Sequence, residues 1–179
     1  MNAAFELDPV LTLALRACMA LLFASAGLHK LGDPIAFRSV LSDYRLLPDS
    51  LVTPAAWAAG TGELLLALAF LVPAAGMLPA LAATALLTLY SCAIAVNLLR
   101  GRHDLDCGCG GPPQRLHPGL VARNLVLVAA SLLACAPTSA RTLGWLDGLS
   151  FLGTVACATL LWAASNRLMA LVPATGEKS

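Results

Sequence analysis

One dense polar segment interrupts a largely apolar chain, and it reads Arg100-Gly101-Arg102-His103-Asp104-Leu105-Asp106-Cys107-Gly108-Cys109-Gly110-Gly111. Two thiols lie in this segment, separated by one residue. Hydrophobic residues make up 59% of the 179 residues and charged residues 12%, whereas soluble domains average roughly 45–50% and roughly 25%. This composition indicates a membrane protein in which long apolar segments hold the polar loop, residues 100–118, at a bilayer surface.

The apolar segments on both sides of the loop predict the fold. A helix needs about 20 apolar residues to cross the hydrocarbon core, and an isolated strand cannot cross it because its backbone would be unpaired. We therefore predict an all-α integral membrane protein, a single domain with four or five transmembrane helices. The fourth segment is short, so four spans and a peripheral helix are an alternative. The predicted spans cover residues 10–28, 51–72, 77–99, 119–136 and 143–164.

The connection between the first two spans carries an amphipathic pattern over residues 34–47. Asp33 before Pro34 is typical of a helix N-cap followed by proline at the first helical position. Apolar residues then recur at helical spacing with charged residues between them. The pattern predicts a short helix lying in the membrane interface, and an ordinary surface helix that caps the bundle is the alternative. We expect Pro48 to end it.

Charge placement predicts the orientation. The formal net charge is +1, so nothing indicates a nucleic-acid partner, and membrane lipid is the expected surrounding. Acidic residues and no basic ones precede the first apolar segment, so we expect that segment to be a retained helix. With five spans, every Lys and Arg except Arg16 and Arg141 falls on the face of the thiol loop. The positive-inside rule then places this face in the cytoplasm.

The pair of thiols, Cys107 and Cys109, indicates redox chemistry. A disulfide across one intervening residue closes a small ring and departs from preferred geometry, which makes the bond easier to reduce. Gly108 within the pair, and Gly110 and Gly111 after it, allow backbone turns that a side chain would forbid. We therefore predict that Cys107 and Cys109 are catalytic and form a reversible disulfide.

The charged residues near the thiols have opposing effects. Arg100 and Arg102 would stabilise a thiolate, whereas Asp104 and Asp106 would disfavour it. Unreactive thiols, or half of a metal site, are the alternatives to redox chemistry. Because a zinc site normally shows a CxxC or longer spacing, no metal is predicted. The ligands available for one would be His103, Asp106, Cys107, Cys109 and His117.

Two ionisable residues fall inside predicted spans, Arg16 and Glu63. Charged groups are costly in hydrocarbon and usually face a partner. Counted from the face opposite the loop, both lie at a depth of roughly 10–14 Å at 1.5 Å per residue. We therefore predict a buried Arg16–Glu63 ion pair that fixes the bundle, with a proton relay as the alternative.

Polar residues at the span ends supply a possible pocket beneath the loop. His29, Lys30 and Asn97 join Arg100, Arg102, Asp106 and Gly108 as predicted supporting residues. For Lys30 and Arg123 we favour side chains that extend to the membrane surface. Asn97 and Asn124 fit pocket lining and helix–helix hydrogen bonding equally well. Cys18, Cys92, Cys135 and Cys157 lie within spans and are interpreted as small apolar fillers, with a second relay pair as the alternative.

Several motifs together resemble the family of the methylamine utilisation protein MauE, within the wider DoxX-like membrane proteins. They are Ala26-Gly27-Leu28-His29-Lys30-Leu31, Tyr44-Arg45-Leu46-Leu47-Pro48, Gly62-Glu63, and Asn97-Leu98-Leu99-Arg100-Gly101-Arg102 running into Asp106-Cys107-Gly108-Cys109. The likeness covers roughly residues 15–135, and the block around the thiols is its most specific part.

The resemblance implies a role in maturing the small subunit of methylamine dehydrogenase, a disulfide-rich periplasmic protein, beside a thioredoxin-like partner, MauD. It thus implies a thiol–disulfide oxidoreductase in the bacterial cytoplasmic (inner) membrane. A non-redox assembly factor and a small-solute transporter using Arg16 and Glu63 are alternatives. No cofactor is predicted, and no residue indicates a quinone. The implied partner is periplasmic while the charge rule places the loop in the cytoplasm. Either the thiols act across the bundle or the basic residues serve the site and the rule fails here.

Overall fold

The computed structural model describes residues 6–109 and 114–170, and this part of the chain is built from helices. Four of them are long and apolar enough to cross a membrane, and a fifth apolar helix is shorter. The predicted class, a multi-pass helical membrane protein, is confirmed. Gly110 and Gly111 lie outside the described residues. The helices are α1 Pro9–Gly32, α2 Pro34–Asp43, α3 Asp49–Leu71, α4 Leu78–Leu99, α5 Pro118–Leu133 and α6 Trp145–Ala170.

Small residues set how α1 packs against α3. A Cβ atom on Gly27 would lie 2.9 Å from the carbonyl oxygen of Gly60, and one on Gly60 would lie 2.8 Å from Leu31 Cδ2. Such close approach of helix backbones is typical of membrane helices with small residues at the contact. One turn before Gly27 in α1, the ring of Phe23 stacks on that of Phe70 with centroids 6.1 Å apart. These contacts fix the register between the two helices.

The remaining helices surround this pair. The buried core contains Met19, Phe23, Leu66, Phe70 and Leu87, contributed by α1, α3 and α4. The α5 helix packs mainly against α4. The α6 helix buries no residue fully within the described chain, so its apolar side chains are available to lipid.

The two ends of the bundle differ in content. At one end, Leu7 N–H donates to Pro137 O at 2.9 Å and Ser139 N–H donates to Leu7 O at 3.0 Å, so the N-terminal segment meets the α5–α6 connection there. The other end, called the cysteine end below, holds α2 and the loop between α4 and α5. The α5 helix therefore runs the length of the bundle, although its 16 residues reach only about 24 Å at 1.5 Å per residue. How many helices cross the bilayer stays a prediction.

The helix at the cysteine end is shorter than the amphipathic pattern suggested. Asp33 caps α2 as predicted, since its side chain accepts from Ala36 N–H at 3.0 Å. The helix ends at Asp43, however, and Arg45 adopts a positive φ of 49°. Tyr44, which lies between the end of α2 and this turn, is buried and contacts the thiol loop. Pro48 precedes α3 as its N-cap and does not end α2. The interfacial position of α2 stays a prediction.

Candidate thiol site

Backbone hydrogen bonds join the two sides of the loop between α4 and α5, linking residues at or before the first thiol to residues after the second. Cys107 N–H donates to Gln114 O at 2.9 Å, and Leu116 N–H donates to Leu105 O at 3.1 Å. The carboxylate of Asp106 accepts from Gly108 N–H at 3.1 Å. Within this frame the sulfurs of Cys107 and Cys109 are joined in a disulfide. The predicted supporting role of Asp106 is thus to shape the turn that carries the sulfurs.

Gly108 is required by its surroundings as well as by its backbone. Its φ of 66° lies in the left-handed region, which residues with a side chain rarely adopt. A Cβ atom here would also lie 2.9 Å from Val40 Cγ1 and 3.3 Å from Phe37 Cε2. The α2 helix therefore packs directly on the residue between the two cysteines.

Tyr44 makes a hydrogen bond to the same turn, and this contact was not predicted from the sequence. Its hydroxyl donates to Cys107 O at 3.3 Å, and its side chain is buried. Burial and then the nearby Asp106 charge raise the pKa of Tyr44, so the hydroxyl stays protonated and able to donate. From the sequence, Tyr44 was recognised only as part of the amphipathic pattern and of the family motif Tyr44-Arg45-Leu46-Leu47-Pro48. The sequence offers only a general indication of this contact, since a buried tyrosine hydroxyl usually has a hydrogen-bond partner.

Arg123 lies beneath the loop and does not extend to the surface, so the expectation of a surface anchor is wrong. Its residue exposure is 9%. Nη1 donates to Gln114 Oε1 at 3.2 Å and to Asn166 Oδ1 at 3.0 Å, and the guanidinium lies 5.0 Å from the Trp162 ring centroid. Nη2 lies 3.9 Å from Cys107 Sγ. The amides and the indole ring make this buried position possible for a cation.

Lys30 is also buried, with 3% exposure, and is not a surface anchor. Its Nζ donates to Glu63 Oε1 at 2.5 Å, and Tyr90 Oη donates to the same oxygen at 2.8 Å. The ammonium lies 5.2 Å from the ring centroids of both Phe37 and Tyr90. Glu63 Oε2 is buried without a hydrogen-bond partner in the described chain.

The predicted Arg16–Glu63 pair is wrong, and the register of α1 against α3 explains why. Phe23 stacks on Phe70, so Arg16, about two turns nearer the start of α1, lies beside the end of α3. There it donates to Phe70 O at 2.9 Å and to Val72 O at 2.7 Å, carbonyls that a helix end leaves without intrahelical partners. Counting both depths from the face opposite the loop had assumed that the start of α1 and the end of α3 lie at one level.

Two of the other predicted supporting residues, Asn97 and Arg102, hold the start of the loop and do not contact the sulfurs. Asn97 is fully buried. Its Oδ1 accepts from Arg102 Nη1 at 3.2 Å, and its backbone oxygen accepts from Arg102 N–H at 3.0 Å. Arg100 is exposed at the end of α4. The guanidinium that contacts a cysteine sulfur is therefore that of Arg123, where the sequence had suggested Arg100 and Arg102. Asn124 makes the helix–helix contact, donating to Ser91 Oγ at 3.2 Å.

Both sulfurs border open space. Cys107 and Cys109 are half-buried, and they line a cavity of about 130 Å³ together with His29 and Asp33. Cys109 also lines a larger cleft of about 340 Å³. The polar and aromatic residues of that cleft include Lys30, Glu63, Tyr90, Arg123, Asn124, Trp162 and Asn166. Cys109 and the buried Lys30–Glu63 pair therefore line one cleft.

The metal alternative finds no supporting arrangement. Within residues 6–109 and 114–170, no three His, Cys, Asp or Glu side chains cluster as a metal site would require. His117 caps α5 instead, with Nδ1 accepting from Gly119 N–H at 3.1 Å. Burial and the Arg123 charge lower the pKa of His117, which favours the neutral ring that this cap needs. No cofactor is indicated by these residues. Cys18, Cys92, Cys135 and Cys157 are unbonded.

Comparison with known proteins returns one family. The family model described as "Methylamine utilisation protein MauE" matches residues 8–137. A methylamine utilization protein MauE from Paracoccus denitrificans is 36% identical over 169 residues, 93% of this chain and 91% of that protein. The protein of that name from Methylophilus methylotrophus is 37% identical over 175 residues, 96% and 92% of the two chains. One from Paracoccus versutus is 41% identical over 131 residues, 72% and 70% of the two chains. No solved structure matches.

Proposed function

Because this chain belongs to the family of the methylamine utilisation protein MauE, we propose that it is a membrane thiol–disulfide relay within methylamine utilisation. One observation carries this proposal. The disulfide between Cys107 and Cys109 lies in a half-buried turn that borders cavities of about 130, 230 and 340 Å³. A purely structural disulfide would normally link distant parts of a chain, where loop closure stabilises the fold. This bond closes a loop of one intervening residue.

The chemistry requires only one partner thiol at a time. A partner thiolate attacks one sulfur of the pair, a mixed disulfide forms, and the other sulfur leaves as a thiolate. A second partner thiolate, or the reverse reaction, then resolves the mixed disulfide. Two electrons pass between the pair and its partner in a complete cycle. Contacts from α2 and Tyr44 support the turn, and its half-buried sulfurs line cavities that a partner thiol can enter.

The partners in this proposal are a thioredoxin-like protein and the small subunit of methylamine dehydrogenase. The relay would act in the bacterial inner membrane and assist disulfide formation in that subunit. The membrane side on which the turn opens is tested by labelling Cys107 and Cys109 after reduction with an impermeant maleimide in intact cells. Labelling without permeabilisation would contradict the cytoplasmic position that the charge rule predicts.

The test of the relay is loss of either thiol in the methylamine-grown host. We expect Cys107→Ser and Cys109→Ser each to abolish disulfide maturation of the small subunit, read by alkylation and mass analysis. Cys92→Ser is the matched control, because Cys92 is an exposed free cysteine on α4, and it should mature the subunit normally. Full maturation in the Cys107→Ser/Cys109→Ser double variant would support a non-redox assembly factor instead.

A further inference from the structure

We propose that Arg123 stabilises Cys107 as the thiolate when the disulfide opens, so that Cys109 is the sulfur that a partner attacks. This assignment rests on the proposed thiol–disulfide exchange and gives its two sulfurs different roles. Cys107 is the leaving group, and Cys109 carries the mixed disulfide.

The first support is the charge state of Arg123. Buried charges in proteins are normally paired with an opposite charge. In the described chain, ion pairs involve Lys30 and Arg141 but not Arg123. Within residues 6–109 and 114–170, the polar partners of Arg123 are the neutral amides of Gln114 and Asn166, and its Nε is buried without a partner. Among these residues, the disulfide form therefore gives the buried guanidinium no counter-ion.

The second support is the position of that cation. Nη2 lies 3.9 Å from Cys107 Sγ. When the bond opens with Cys107 leaving as a thiolate, the negative charge forms beside the guanidinium and supplies the missing counter-ion. A neighbouring cation lowers the pKa of a thiol and makes it the better leaving group.

The third support is that the two half-buried sulfurs have different surroundings. Cys107 packs against the buried cluster of Tyr44, Ile94, Leu116 and Leu120, and both its backbone groups are hydrogen-bonded. Both cysteines line the cavities of about 130 and 230 Å³, but of the two only Cys109 also lines the cleft of about 340 Å³. An incoming thiolate that approaches through this cleft meets Cys109 first.

The step balances without an added reagent. The partner sulfur forms a bond with Cys109 Sγ, the Cys109–Cys107 bond breaks, and Cys107 takes the electron pair as a thiolate. The proton lost by the partner thiol goes to solvent.

Other charged or titratable groups on neighbouring elements also face the two sulfurs or Arg123. Among them, the negative charge of Asp106 disfavours a thiolate, whereas Glu63 neutralises the positive charge of Lys30. These groups are His29, Lys30, Asp33, Tyr44, Glu63, Tyr90, Asp106 and His117.

Mass spectrometry of the mixed disulfide identifies which sulfur is attacked. The oxidised full-length protein in detergent is treated with reduced glutathione, quenched with iodoacetamide and digested with trypsin, which releases residues 103–115. Fragment mass spectra then show which cysteine carries glutathione and which carries the alkyl group. We expect glutathione on Cys109. Glutathione mainly on Cys107 would overturn the assignment, whereas a disulfide that no thiol opens would overturn the proposed relay itself.

The role of Arg123 has a separate readout. In a Cys109→Ser background, the pH dependence of Cys107 alkylation is measured with and without Arg123→Met. We expect Arg123→Met to raise the midpoint by about one pH unit, a tenfold loss of thiolate at neutral pH. Arg115→Met is the matched control, since it removes an equal charge from an exposed side chain of the same loop, and it should leave the midpoint unchanged. An unchanged midpoint in Arg123→Met, with circular dichroism matching the parent, would overturn the proposal.

Discussion

Two charged clusters lie at opposite ends of this bundle, and burial separates their roles. At the cysteine end, the side chains of Lys30 and Glu63 are 2% and 1% exposed. At the other end, Arg141 binds Asp8 and Asp147 with side chains that are 38%, 47% and 22% exposed. Exposed pairs contribute little to stability, whereas a buried ion pair carries a large desolvation cost. The charged groups with the larger desolvation cost therefore lie near the thiol loop.

The two clusters also differ in what they connect. Arg141 joins the segment before α1 to the start of α6 at an exposed position, through Asp8 and Asp147. Lys30 and Glu63 join α1 to α3 and line the same cleft as Cys109. Ionisable residues inside a membrane bundle usually mark a functional site. The cleft at the cysteine end therefore carries the charge pattern of a working site, and the other end does not.

The largest effect on stability is expected from removing one member of the buried pair. Glu63→Leu leaves the Lys30 ammonium buried without its carboxylate and removes the acceptor of Tyr90. We expect a loss of about 3–5 kcal/mol in the free energy of unfolding, the usual result of breaking a buried ion pair. Unfolding in mixed micelles of mild detergent and dodecyl sulfate measures it.

A double variant tests whether the charge is the cause. Lys30→Met/Glu63→Leu removes both charges and keeps apolar volume, so we expect it to be more stable than Glu63→Leu alone. Equal or greater loss in the double variant would mean that packing volume, and not an unpaired charge, dominates at this site.

The fold class was within reach of the sequence, because long apolar segments allow few structures in a bilayer. The cap at Asp33 and the turn at Gly108 were also predictable, since each depends on neighbours in the chain. The partner of Glu63 was not predictable from the sequence. It depends on the register between α1 and α3, which Gly27 and Gly60 set by close packing. No local sequence pattern indicates that register.

The contacts of Arg123 and Tyr44 were missed for a related reason. Their side chains reach the thiol loop only after distant helices pack together, and Arg123 finds a partner as far away in the chain as Asn166. Sequence position alone placed both near the bundle end, where surface anchoring is the usual expectation for a long basic side chain. The thiols themselves were found because their spacing is a local feature.

An intermediate effect on stability is expected at Arg16, which is half-buried and lies between the two extremes. Arg16→Met removes the donors that satisfy the carbonyls of Phe70 and Val72 at the end of α3. Hydrogen bonds to charged groups contribute about 1.5–3 kcal/mol, and we expect a loss in that range in the same unfolding measurement. Arg38→Met, at an exposed position on α2, is the control. Equal stabilities of the two variants would show that the α3 end is satisfied by other groups.

The smallest effect is expected from Arg141→Ala at the exposed cluster. The Arg141 side chain and then the Val10 N–H hold the pKa of Asp8 below its ordinary value of 3.8, so folding favours the ionised carboxylate. That contribution is complete above pH 3.8 and is lost as the pH falls through the lower folded-state pKa. We expect Arg141→Ala to lower the melting temperature slightly at neutral pH and low salt. The difference from the parent should shrink in about 1 M salt, where charges are screened within about 3 Å, and again below pH 3.8. A large, salt-independent loss would mean that the far end depends on its charges as strongly as the thiol end does.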